Sequence, residues 1–435
     1  MRKGAARVLC WALGCAALIA APDGYAELFA KAAALSRGGN YVGAIAKYRE
    51  ALALRPGAPE ALSNLAVMYY AAGKYQNAWD SASQALAKQP GSSPAALIAG
   101  LAAIRLNRLD DAIAPLDRVL GIQPDNRDAL LGLASARVGL GQLDAAARLY
   151  VRRTSSAPDD SDAWYGQAVA YERMAEDASR ALSRMPGAAF YSKRLLGEYL
   201  LAEGGGRLAE EAFGEAEKVE GSASQEAGKE YEKSRDLAGK SREAFLRFVS
   251  LAPDSWQANV FLGDVNRQHN QLPEALGHYL KAAELQPDSP APLLGAGTAY
   301  WELGDFEKAR KALESALRID PGALQASFEL ANIAVRQHRD AEAARLLKKF
   351  LQAEPDALAA RADLGRAYLH LGEYAKAAEQ LRLAAPVDDK GEIHYQLAQA
   401  LKKLGNRKEA EAAMNRSIEI RRAALERERR LRSQP

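Results

Sequence analysis

Apolar positions along this chain recur with the spacing of a helix, and the pattern is interrupted at even intervals. "LSNLAVMYYAAG", ending at Gly73, and "YQNAWDSASQALAKQP", ending at Pro90, each carry apolar residues three and four positions apart. Gly73, Gly141, Gly304 and Gly372 stand between two such stretches, where one helix needs a left-handed stop before the next begins. The second stretch of each pair ends at a proline, which cannot continue a helix and fixes the turn into the next pair. These prolines are Pro56, Pro90, Pro124 and Pro158, then Pro253, Pro287, Pro321 and Pro355, with a step of 34 residues inside each group.

Two columns of small residues keep the same step. One runs through Ala32, Ala66, Gly100, Ala134 and Ala168, then Gly263, Gly297, Ala331 and Gly365. The other runs through Ala44, Ala78, Ala112 and Ala146, then Ala275, Ala309, Ala343 and Ala377. Small residues on facing helices let two antiparallel helices approach closely, so the pattern predicts a stack of helical hairpins.

The phase fails in the middle. Pro158 to Pro253 is 95 residues, seven short of three units, and Pro186 locates most of the loss. "ERMAEDASRALSRMPG" lacks an inter-helix turn, so its two helices are expected to run together. Another unit follows, with Gly197, Ala209, Phe213 and Ala216. The polar stretch 221–243 offers only Tyr231 and Leu237 as large apolar groups, and is read as a solvated helix or a loosely packed insertion.

At this point the chain resembles the tetratricopeptide repeat family, whose unit is a 34-residue helix–turn–helix. Trp164, Ala168 and Tyr171 of "WYGQAVAY", and Leu364, Gly365 and Tyr368 of "LGRAY", match its first-helix motif; "AIAKY" and "ALGHY" match the second. The resemblance covers about residues 25–420. It implies an all-α fold, a right-handed superhelical solenoid of about 11–12 hairpins with an irregular middle joint. The expected division is a signal peptide over 1–26, an N-terminal repeat block over 27–171, the joint over 172–252, a C-terminal block over 253–418, and a charged capping helix and tail over 419–435.

The signal rests on Arg2, Lys3 and Arg7 before an apolar run from Val8 to Ala21, too short for an ordinary span. Gly24-Tyr25-Ala26 puts small residues where a signal peptidase reads, so cleavage is expected after Ala26 and the protein is expected in the periplasm or secreted. An uncleaved anchor, or a lipid on Cys15, are the alternatives; apart from these no membrane contact is expected. Cys10 and Cys15 both lie in this segment, so a cleaved chain has no thiol chemistry.

Composition adds little. Lysine and arginine exceed aspartate and glutamate by 58 to 55, which makes no case for nucleic acid. The final helix is locally basic, as a solvated cap can be. The five histidines, His269, His278, His338, His370 and His394, stand in no H-E-x-x-H or comparable spacing. "GAGTAY" and "GGGRL" follow no strand and carry no phosphate-loop lysine. No catalytic residue, cofactor or metal is expected, and the chain is read as a non-enzymatic scaffold for protein or peptide partners. A component of bacterial polysaccharide export or secretion is the alternative.

In the family the resemblance names, the first helix of each hairpin lines the concave face. Counting from its units places Asp264, Arg267, Trp301, Phe328, Asn332, Arg336 and Arg366 inward, with Tyr395 in the last unit. Aromatics beside arginines are the residue types that dominate binding interfaces, so these are the expected partner-binding residues; the alternative is that Trp301 and Phe328 fill core gaps between neighbouring hairpins. No Lys-x-x-x-Asn carboxylate clamp lies in these columns.

Overall fold

The structure, a computed structural model, describes residues 24–202 and 206–432. The segment from Met1 to Asp23, with most of the expected signal and both cysteines, lies outside the described residues. Among the described residues there are 22 α-helices, which pair as antiparallel hairpins, and there is no strand. No described helix is long and apolar enough to cross a membrane. The helices gather into two compact units, one ending at Pro253 and the other beginning at Asp254.

The first unit opens with four regular hairpins. They are α1 (Gly24–Arg37) with α2 (Tyr41–Leu54), α3 (Pro59–Ala71) with α4 (Tyr75–Lys88), α5 (Ser93–Arg105) with α6 (Leu109–Ile122), and α7 (Arg127–Gly139) with α8 (Leu143–Ser156). Helix α1 starts before the expected cleavage position. Tyr25 is buried within it, its ring 6.0 Å from that of Phe29 and 4.5 Å from the Arg55 guanidinium. Cleavage after Ala26 would remove that ring and leave Phe29, edge-on to Tyr48 at 5.4 Å, to close the end of the stack.

The joint departs from the hairpin pattern in an ordered way. Helix α9 (Ser161–Ser183) runs unbroken through the stretch that lacks a turn. Its partner is α12 (Gln225–Leu251), and the hairpin of α10 (Ala189–Ala202) with α11 (Gly206–Glu217) is inserted between them in sequence. The reading of 221–243 as solvated or loosely packed is therefore corrected. Helix α12 buries Ala227, Tyr231, Ser234, Leu237, Ser241, Ala244 and Phe248, a stripe spaced three and four apart along its whole length. Four of these seven residues are alanine or serine, so the face gives little apolar signal in the sequence. Ser234 Oγ donates to the Ala175 carbonyl at 3.3 Å and Ser241 Oγ to the Ala168 carbonyl at 3.1 Å, so the small polar groups are satisfied where the helices meet.

The second unit holds five hairpins: α13 (Trp256–Gln268) with α14 (Leu272–Leu285), α15 (Pro290–Glu302) with α16 (Phe306–Ile319), α17 (Leu324–Arg336) with α18 (Asp340–Ala353), α19 (Leu358–His370) with α20 (Tyr374–Ala384), and α21 (Glu392–Lys403) with α22 (Arg407–Arg432). A continuous core runs from Ala309 to Ala413. Helix α22 carries the last hairpin into the charged end of the chain without a break.

Both columns of small residues lie between paired helices. A Cβ on Gly297 would fall 2.7 Å from Leu313, and one on Gly365 2.6 Å from Leu381; both leucines are fully buried and cannot yield. The turn positions are left-handed, as expected at Gly73, Gly141, Gly304 and Gly372. Three equivalent turns use other residues: Asn107 and Asn270 at φ 57° and His338 at φ 54°. Asparagine and histidine tolerate this backbone better than most side chains.

Candidate functional site

Four of the five first helices of the second unit, α13, α15, α17 and α19, pack beside one another in order. On α13 the Tyr279 hydroxyl reaches across from α14 and donates to Asp264 Oδ1 at 2.6 Å. Burial raises the Asp264 carboxyl above its ordinary value. One turn on, Arg267 donates through Nη1 to Glu302 Oε1 of α15 at 2.9 Å. From α15, Thr298 Oγ1 lies 2.8 Å from Glu329 of α17, whose Oε1 also accepts from Gln325 at 2.8 Å. Glu329 is buried, and burial pushes its pKa up.

The expected aromatic–arginine pair forms across the same α15–α17 boundary. The guanidinium of Arg336 on α17 lies 5.4 Å from the ring centre of Trp301 on α15. Arg336 is exposed, while the Trp301 indole N–H is buried without a hydrogen-bond acceptor. Asp264, Arg267, Trp301 and Arg336 thus join one polar band across three helices. Asn332 is half-buried one turn before Arg336.

The other expected residues stand apart from that band. Phe328 stacks on Phe350 of its own hairpin at 4.8 Å and packs against the core, so its ring fills the space between α17 and α18. Arg366 pairs within α19 with Asp363 at 3.5 Å, and its Nε is buried without a partner. Burial raises the Asp363 carboxyl. Tyr395 on α21 is 37% exposed, with Arg421 of α22 5.1 Å from its ring centre.

Glu302, Thr298 and Glu329 were not among the expected residues. Their signal is an offset of nearly one repeat: Arg267 to Glu302 spans 35 residues, and Thr298 to Glu329 spans 31. Side chains on neighbouring first helices meet at such separations.

Comparison with known proteins bears on the fold these hairpins define. Models described as tetratricopeptide repeat match residues 103–170 and 334–391, residues 64–127 and 294–353, and residues 391–423. A model described as TPR repeat matches residues 34–90 and 263–304. Together the matched segments run over 34–170 and 263–423, well over half of the chain. The chain belongs to the tetratricopeptide repeat family, and its fold is that family's all-α solenoid of helical hairpins. Proteins of this family act as interaction scaffolds.

Among sequences, the protein CTR9 homolog of Arabidopsis thaliana is 32% identical over 89 residues, which is 20% of this chain and 8% of that protein. Among solved structures, MamA from Desulfovibrio magneticus RS-1 aligns at 22% identity and TM-score 0.37, over 39% of this chain and 97% of that one. YrrB, described as a TPR protein with an unusual peptide-binding site, aligns at 20% identity and TM-score 0.38, over 43% of this chain and 98% of that one.

Proposed function

We propose that the face formed by α13, α15, α17 and α19 binds an extended segment of a partner protein, and that the protein works as an exported scaffold. The Trp301–Arg336 pair carries this reading: an exposed guanidinium lies over an indole whose N–H has no acceptor. A peptide carboxylate would pair with the exposed Arg336, which the Trp301 ring beneath it holds in place. Glu302 and Glu329 hold the neighbouring donors in place, which pre-organises the band and lowers the entropy lost on binding.

The proposal of export, to the periplasm or outside the cell, is supported by the basic start, the short apolar run from Val8 to Ala21 and the small residues Gly24 and Ala26. The mature N-terminus, read by mass spectrometry on protein from its native source, tests it. An intact Met1 terminus in the cytoplasm contradicts it.

The binding reading is tested by selecting peptides from a displayed library against the full-length protein. Selected peptides are expected to be enriched in acidic residues. Arg336→Ala is expected to weaken them about tenfold, as loss of a charge-assisted pair at a binding face would. Trp301→Ala is expected to do the same, and both variants keep the wild-type helical circular dichroism. Affinity unchanged in Arg336→Ala, Arg366→Ala and Trp301→Ala sinks the assignment.

A further inference from the structure

We propose that His338, Asp340 and His370 form a divalent transition-metal site that clips two consecutive hairpins together. His338 is in the turn between α17 and α18, Asp340 is the first residue of α18, and His370 is the last residue of α19 in the next hairpin. One donor atom from each lies within 4.8 Å of the other two. His370 Nδ1 is already 3.0 Å from Asp340 Oδ1, and the two imidazole rings are 5.8 Å apart.

A tetrahedral ion with bonds of about 2.0–2.1 Å needs donors roughly 3.3 Å apart. The His370–Asp340 pair meets that spacing, and His338, which is exposed, closes the rest by rotating its side chain. Two imidazoles and one carboxylate suit zinc, nickel, cobalt or copper rather than calcium or magnesium, which take oxygen donors. The His370 side chain is 38% exposed, so a hydrated ion can reach it and keep a water in the remaining position. His370 closes α19, and His338 follows the end of α17 by two residues; the carbonyl ends of both helices favour a cation, against the amide end of α18. Arg339, between two of the ligands in sequence, is drawn to Glu342 at 3.6 Å.

His338 occupies its turn at φ 54°, where the equivalent turns use glycine or asparagine. A ring there is the one side chain of that column able to ligate a metal through nitrogen. Sequence spacing does not reveal the set, because its members come from two repeats and are separated by 2 and 30 residues.

The test is calorimetric titration of the full-length, untagged, chelator-stripped protein with Zn²⁺ and Ni²⁺, and with Ca²⁺ as control. Wild type is expected to bind one equivalent of Zn²⁺ that His338→Asn and His370→Gln both lose, with affinity at that site falling tenfold or more. Asparagine already serves the same turn at Asn107 and Asn270, so His338→Asn keeps the fold and isolates the ligand. Zn²⁺ is expected to raise the thermal midpoint of the wild type and not of His338→Asn. The proposal is overturned if wild type takes up no Zn²⁺ at about 100 μM, or if His338→Asn binds as many equivalents as wild type with the same affinity.

Discussion

Asp160 shows how a single residue ties one repeat to the next. It stands just before α9, its side chain 4% exposed, and accepts from Arg127 Nε at 2.8 Å and Arg153 Nε at 2.7 Å. Arg127 is 33 residues back, again close to one repeat. Burial alone would raise the Asp160 carboxyl, but the two guanidinium groups outweigh it and hold the pKa below the ordinary 3.8. A depressed folded pKa contributes stability that is present above the unfolded value and is lost as pH falls through the folded one. Asp160→Asn should therefore cost about 1–3 kcal/mol at pH 7, because the half-buried Arg153 loses its carboxylate partner while Arg127 keeps Asp162 at 2.6 Å. In denaturant titrations the gap between variant and wild type should narrow as pH drops below 3.8. A gap unchanged between pH 7 and about pH 3 would mean that packing, not charge, explains the cost.

At the scale of elements, what the sequence reveals depends on how far apart the contacting residues are. Turns were legible because glycine at positions such as Gly304 and proline at positions such as Pro321 act within a few residues of themselves. The unbroken α9 was legible for the same reason, through the missing turn signal. The pairing of α9 with α12 was not. It rests on Ser234 and Ser241 meeting carbonyls 59 and 73 residues away, and nothing local marks those serines as interior. Phe328 repeats the lesson in the candidate site: its helix position was readable, but its stacking on Phe350 was not. Glu302 and Glu329 meet their partners across hairpins, at separations of 35 and 31 residues, where no local pattern marks them. The α9–α12 contact gives a direct prediction. Ser241→Leu overfills a boundary spaced for a hydroxyl, costing about 1–3 kcal/mol. Limited proteolysis of this variant should cut within α12 faster than in wild type. Equal cutting rates would mean that α12 is held by contacts elsewhere.

For the whole molecule, repetition supplies stability and a surface at once. Each hairpin is too small to bury its own apolar face, and stacking its neighbours makes a continuous core while leaving a row of first helices side by side. Within the second unit that row carries Arg267 paired with Glu302 and Thr298 bonded to Glu329 across hairpins, with Arg336 left exposed over Trp301. The central claim is that this row, rather than the second helices, meets the partner. Hydrogen–deuterium exchange of the full-length protein, with and without a saturating selected peptide, tests it most directly. Slowed exchange is expected in residues 290–302 and 324–336, extending to 256–268 and 358–370, with little change in residues 306–319 and 340–353. Protection confined to those second helices, or to the unit ending at Pro253, would contradict it.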